Sequence, residues 1–361
     1  MTPARAWEIE LLSRRVFLRR AGLTTAMLAW SPLSLAGCAD GSRAPGSQAK
    51  AVADRSIGID YASYYPPFAD LHRLVIDHSR TRRAAVTFSN DRAGGRQQAE
   101  TLDKWTTPKG GFRVLAIAPF DAAAAATAVR RARANDIDVV SFLVPIEGQS
   151  AGIVVDPVAS ARMLAKHASE WVRGTAEGGT DVLLVRPPTN PAVVDPFAQL
   201  APRAEAALTT ELSRLAPRLR MLAATEAQSS GDARLAVLRA LEQFPRARMV
   251  LAWNDATASG AADALSARHG SATRRALYSG GLAAPAVSTP AILRQIKANT
   301  PLRCIVSPRL RDVAEALVDV PLGILRGEAP KDLRVAAHAL DADSAELRRF
   351  ERDYAAAGHL G

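Results

Sequence analysis

Ten short apolar runs, each followed by a stretch with helical spacing, constrain this chain more than any other feature. They cover residues 57–60, 84–89, 113–118, 137–143, 152–155, 181–186, 219–225, 248–253, 276–279 and 303–307. The runs are continuously apolar rather than alternating, as parallel strands covered on both faces must be. Between them, sets such as Ala161, Leu164, Ala165, Ala168 and Val237, Leu238, Leu241, Phe244 line one side of a helix. Strand and helix alternating in this way predict an α/β fold with doubly wound, Rossmann-like parallel sheets. A later stripe, Val313, Leu317, Val320 and Ile324, is interrupted by Pro321, which predicts a kink or an early stop.

The N-terminus carries a different signal. Arg14 and Arg15 precede an apolar segment of 16 residues, 21–36, and then Leu35-Ala36-Gly37-Cys38. The pattern resembles a twin-arginine export signal followed by a lipobox, in which Cys38 is acylated and becomes the mature N-terminus. The segment is shorter than the roughly 20 residues that span a bilayer, so it reads as a cleaved signal and not a membrane helix. A lipoprotein anchored in the membrane, in the periplasm or at the cell surface, is expected. Residues 41–53 are rich in Gly, Ser, Ala, Pro and Lys without periodicity and read as a flexible spacer.

Five arginines and two glutamates precede Cys38, so the formal charge of +10 falls to +7 on the mature chain. The remaining basic residues are dispersed and not interleaved with aromatics, which argues against a nucleic-acid partner. With Cys38 lipidated, Cys304 stands alone and is expected to be a small core residue. The six histidines are scattered without metal-ligand spacing, and no nucleophile elbow, phosphate loop or dinucleotide fingerprint occurs. Neither enzyme activity, a cofactor nor a metal is expected. Gly94-Gly95 and Gly280-Gly281 read as turn glycines.

Ligands of open α/β sheets bind beyond the carboxyl ends of the strands, which directs attention to the loops there. The first holds Tyr61, Tyr64, Tyr65 and Phe68, four aromatics in a chain that is only 5% aromatic. Rigid rings with polar tips suit a cleft wall. Phe120 and Asp121 follow the third run, Phe142 ends the fourth, and Trp253-Asn254-Asp255 follows the eighth. Asn254 offers a donor and an acceptor, Trp253 a stacking face, and Asp255 is placed to cap the next helix.

With these loops in order, residues 57–338 resemble the type I periplasmic solute-binding proteins, the ribose-binding-like group that serves sugar ABC transporters. The resemblance rests on Ile57-Gly58-Ile59 with Pro67-Phe68, Ser89-Asn90-Asp91 with Gln98, and Pro119-Phe120-Asp121. It continues through Asp156, Asn254-Asp255 with Gly260, and Leu325-Arg326-Gly327-Glu328. It implies two lobes joined by three crossovers, near Pro145, Ser307 and Pro330, that close on a small molecule by hinge motion. The expected division is a signal at 1–37, a linker at 38–54, a first lobe of 55–145 plus 308–330, and a second of 146–307 plus 331–361. A monomer is expected that delivers its solute to an ABC permease; the alternative partner is a membrane histidine kinase or chemoreceptor.

The departures from the group concern its ligand contacts. Phe142-Leu143 stands where sugar binders carry an Asp-Arg pair, Ala201 near their cleft arginine, Gly280 at their ligand Asp and Ser307 at their hinge Gln. A less polar or aromatic ligand is therefore expected, held by Tyr61, Tyr64, Tyr65, Phe68, Phe142 and Trp253 and oriented by Asn254.

Overall fold

Every apolar run of the sequence overlaps a strand. The computed structural model describes residues 56–61, 66–89, 95–175, 181–188, 200–222, 224–270, 276–283, 288–298 and 300–356. Arg14, Arg15, Cys38 and the spacer lie outside the described residues, all of which belong to one unit running from Gln48 to Gly361.

The first sheet contains β1 (Ser56–Asp60), β2 (Val86–Phe88), β3 (Phe112–Ile117), β4 (Asp138–Phe142) and β5 (Ala151–Val155). The second contains β6 (Asp181–Arg186), β7 (Arg220–Met221), β8 (Thr225–Glu226), β9 (Met249–Ala252), β10 (Tyr278–Leu282) and β11 (Leu302–Pro308). Near the C-terminus β12 (Leu333–Val335) joins the first sheet and β13 (Ala337–Leu340) the second. The strand orders are β2-β1-β3-β4-β5-β12 and β7-β6-β9-β10-β11-β13, so the same winding occurs twice. Among the described pairs only β11–β13 is antiparallel. The run at 219–225 is split, with β7 and β8 pairing different parts of β6.

Helices cover the sheets. They are α1 (Pro66–Arg82), α2 (Gly95–Trp105), α3 (Ala122–Ala134), α4 (Pro157–Thr175), α5 (Ala201–Leu215), α6 (Ser230–Gln243), α7 (Asp255–His269), α8 (Pro290–Lys297), α9 (Leu310–Leu325) and α10 (Ala345–Ala356). Several start as local chemistry dictates. Asp121 caps α3 by accepting from the Ala123 and Ala124 amides at 2.8 and 3.1 Å, and Ser229 with Asp232 forms a capping box on α6. At Gly260, where α7 lies against α6, a Cβ would come 2.0 Å from the Ser230 carbonyl oxygen, so only glycine permits that approach.

Three expectations are corrected here. The early stop allowed for at Pro321 does not occur: that residue lies inside α9, which runs on to Leu325, because the buried face of the helix, including Val313, Leu317 and Pro321 itself, is packed in the core. Gly280 and Gly281 are interior residues of β10, not turn residues, since that strand begins and ends later than the apolar run. Gly94 lies outside the described residues, and Gly95 opens α2.

The chain passes between sheets at three places. β5 belongs to the first sheet while α4 packs on β10, β11 and β13, so the first passage is at Asp156, not near Pro145. The second is at Arg309, since α9 packs on α1, β1 and β3, and the third is at Ala336, between β12 and β13. The second and third compare with the expected Ser307 and Pro330.

Candidate functional site

The crevice between β1 and β3, where the winding reverses in the first sheet, is spanned by a side chain of the protein itself. Gln98 of α2 donates to Asp60 Oδ2 at 2.5 Å and to the Ala118 carbonyl at 2.9 Å, and accepts from the Phe120 amide at 2.8 Å. Asp60 and Gln98 are both buried. One amide therefore ties the carboxyl ends of two strands to the following loop. Tyr61 and Phe142, each 1% exposed, are core residues in this arrangement. The Tyr61 ring meets His72 and Phe88 edge-on at 6.4 and 6.0 Å, and burial raises its hydroxyl pKa well above the ordinary value. Tyr64 and Tyr65 lie outside the described residues, as does the side chain of Phe68 in the first turn of α1. Phe120 is half-buried, and the Asp121 carboxylate is engaged as a cap.

The equivalent crevice in the second sheet, between β6 and β9, is hollow. A cavity of about 40 Å³ lies among Leu184, Leu208, Leu251, Leu282 and Trp253, with Ala204 at its α5 wall. The Trp253 indole donates to the Ala227 carbonyl at 3.3 Å, which leaves its ring for apolar contact. Beside it the Arg186 guanidinium grips Glu205 through two hydrogen bonds, one of them 2.6 Å from Nε to Oε2. A second cavity, of about 20 Å³, has Leu143 and Val155 of the first sheet on one side and Leu282, Ala283 and Val306 of the second on the other. Both share Pro157, Leu200 and Leu282, so the carboxyl edges of the two sheets face each other across a continuous apolar seam. Leu143 has φ of 71°, a left-handed conformation that is strained for a branched side chain.

Asn254, not Asp255, caps α7: its Oδ1 accepts from the Thr257 amide at 2.7 Å and the Thr257 hydroxyl at 2.8 Å. Asp255 is instead the first residue of the helix and accepts from the Ser288 hydroxyl at 3.2 Å. Burial pushes its pKa up to about 6, against the opposing effect of hydrogen bonds from the Ala256 amide and the Ser288 hydroxyl. Ser307 is fully buried and accepts from the Ser288 amide at 3.1 Å. A brace thus forms around Ser288, joined by the Tyr354 hydroxyl of α10, which donates to its carbonyl. On the same helix, Asp353 accepts from Arg309 Nη2 at 3.2 Å and from Arg311 Nε at 3.3 Å, which pins α10 to the passage between β11 and α9.

Gly280 points into the second lobe: a Cβ there would lie 2.8 Å from Tyr278 Cε1 and 2.9 Å from Leu164 Cδ1. That interior also holds Cys304, fully buried, whose thiol pKa burial raises, and His167, whose Nδ1 lies 3.0 Å from the Tyr278 hydroxyl. Among the described residues no group of three His, Cys, Asp or Glu side chains could hold a metal, and no helix is long and apolar enough to cross a membrane.

A family profile described as periplasmic binding protein domain matches residues 65–328, more than half of the chain. The chain belongs to the periplasmic binding protein domain family. Solved structures of type I architecture agree in fold. An ABC transporter periplasmic solute-binding protein from Actinobacillus succinogenes with bound D-allose superposes with a TM-score of 0.68 at 13% identity, over 81% of this chain and 99% of that one. A periplasmic ribose ABC transporter protein from Conexibacter woesei gives 0.69 at 14%, over 84% and 95%. A Bacillus halodurans solute-binding protein with bound myo-inositol gives 0.68 at 15%, over 83% and 98%. Among curated proteins none matches.

For this periplasmic binding protein, the sequence reading missed Leu184, Arg186, Glu205, Leu208 and Leu282. Arg186 and Leu282 end strands and so obeyed the rule that pointed to strand ends, but the ninth run was ended at Ser279, three residues short of Leu282.

Proposed function

We propose that this protein captures a small molecule, sugar-like or less polar, between its two lobes outside the cytoplasm and delivers it to an ABC permease. In this reading it is exported by the twin-arginine signal at Arg14 and Arg15 and held to the membrane by lipid on Cys38. The supporting observation is the pair of equally wound sheets whose carboxyl edges meet across an apolar seam at three chain passages. Such a layout lets hinge rotation bury a solute with little change inside either lobe. Largely apolar walls, with Arg186 and Glu205 turned on one another, favour a ligand with fewer hydroxyls than an ordinary sugar.

The test is purification of the chain from residue 38 onward under native conditions, mass spectrometry of the released small molecules, and X-ray scattering with and without them. Capture predicts a defined solute whose return contracts the particle. No solute, and a scattering profile unaltered by sugars, polyols or small aromatics, would overturn it. Cys38→Ser should shift the protein from the membrane to the soluble fraction; unaltered fractionation would remove the lipid anchor.

A further inference from the structure

We propose that the amino edge of the first sheet is a membrane-contact face, on which Trp105, Lys104 and Lys109 seat the tethered lobe against the headgroups of anionic phospholipids. The inference rests on the reading above that Cys38 carries lipid, and it names the surface that this tether turns to the bilayer.

The place where the chain enters the fold carries the argument. Seventeen residues, 39–55, separate Cys38 from β1, and a coil of that length has a reach of roughly 20–25 Å. Ser56 at the start of β1 pairs with Phe112, whose ring lies 4.7 Å from that of Trp105. The same indole lies along β1, since a Cβ at Gly58 would come 3.0 Å from its Cε3. Anchor and aromatic pair therefore share one edge, while the carboxyl edge is turned to the second sheet. Trp105 is half-buried, and among the described residues its N–H has no hydrogen-bond partner. An aromatic body with a free polar tip is the chemistry that collects at the membrane–water boundary. Trp105 lines an open bowl with Lys104, Thr107, Lys109 and Phe112. Charge supplies the second argument. The acids of the bowl are engaged elsewhere, Asp103 by Arg131 and Glu100 by Arg96 at 3.3 Å. Lys104, Lys109 and, at the same edge, Arg83 and Arg113 are exposed and have no ion pair among the described residues. Asp136 and Asp138, at the start of β4, offset part of this surplus. Cations held within a Debye length of an anionic leaflet, about 10 Å at 0.1 M salt, are drawn to it. The amino edge of the second sheet is basic too, with Arg218 and Arg246 exposed, but no tether enters there, so it is the anchor that selects the face.

The test couples the chain from residue 38 onward, through its Cys38 thiol, to maleimide-bearing vesicles; Cys304 is fully buried and does not compete. Vesicles of phosphatidylcholine alone are compared with vesicles of phosphatidylcholine and phosphatidylglycerol in equal parts, all with acyl chains brominated near the headgroup, and quenching of Trp fluorescence is read. Quenching should occur on the anionic vesicles, weaken as salt is added, and disappear in Trp105→Phe. Lys104→Glu with Lys109→Glu should lower it to the level on phosphatidylcholine while Trp105 stays in place, and Arg218→Glu with Arg246→Glu on the second lobe should leave it unchanged. Should Trp105→Phe not fold, the lysine reversal decides alone. No quenching of the tethered wild type, quenching that survives Trp105→Phe, or equal sensitivity to the two double reversals overturns the face. So does self-association through these lysines, seen by analytical ultracentrifugation of the uncoupled chain, which assigns the bowl to a second copy. Because the tether is supplied chemically, these outcomes stand apart from the lipid reading, which fails by itself if Cys38→Ser leaves the cellular fractionation unaltered.

Discussion

Two crevices occupy equivalent places in equally wound sheets, and they have opposite contents. At β1/β3 the protein inserts its own amide, Gln98, and satisfies a buried carboxylate, a carbonyl and an amide at once. At β6/β9 it leaves hydrocarbon walls around empty space and turns its polar groups on one another. Topology therefore sets where a site can stand, while side chains decide whether it is braced shut or left for a guest. The first crevice is braced by a buried side chain, and the second is left hollow.

That contrast breaks first at Gln98. Gln98→Leu should destabilise the fold by about 3 kcal/mol in urea titration, because Asp60 loses a buried partner and two backbone groups lose theirs; a change below about 1 kcal/mol would show that the brace is incidental. Next comes the pin between the lobes. Asp353→Ala leaves Arg309 and Arg311 side by side without their shared carboxylate and should cost about 2 kcal/mol, the exposure of Arg311 moderating the effect. At the second crevice, Trp253→Ala should act mainly on capture: ligand affinity measured by calorimetry should fall at least ten-fold, and retained affinity would place the guest elsewhere.

The last effect is a pH slope. Asp255 has a pKa raised from 3.8 to about 6 by burial, so the folded state holds its proton more firmly than the unfolded chain. Its contribution is fully present below about pH 4 and is lost as pH rises to about 6. Asp255→Asn should flatten that part of the stability curve, by about 3 kcal/mol across the window at about 1.4 kcal/mol per pKa unit. Denaturant midpoints at pH 4 and pH 6.5 check this, and a wild-type curve already flat there would refute it.

The strands were legible because two-sided burial demands unbroken apolar runs, as in Met249–Ala252, all four residues of which are buried. β12 and β13 were not, since Leu333 and Arg334 are exposed and these edge strands carry no such run. The helix through Pro321 escaped for a related reason: local preference favours a break, and packing against the first sheet overrides it. The site was read less well than the fold. Aromatic residues after the first strand suggested a cleft wall, yet Tyr61 is sealed in the core, because a ring is as suitable for filling a core as for meeting a ligand. Trp253 was singled out, and it does border the hollow crevice.

By itself the sequence determined the doubly wound α/β architecture, because hydrophobic period and run length express burial directly, while its repetition in two lobes followed only from the family resemblance. Only the tertiary structure decided which crevice is braced and which is hollow. That outcome depends on residues far apart in the chain, Gln98 with Asp60 and Arg186 with Glu205, whose meeting follows from sheet geometry and leaves no periodic trace in the order of amino acids.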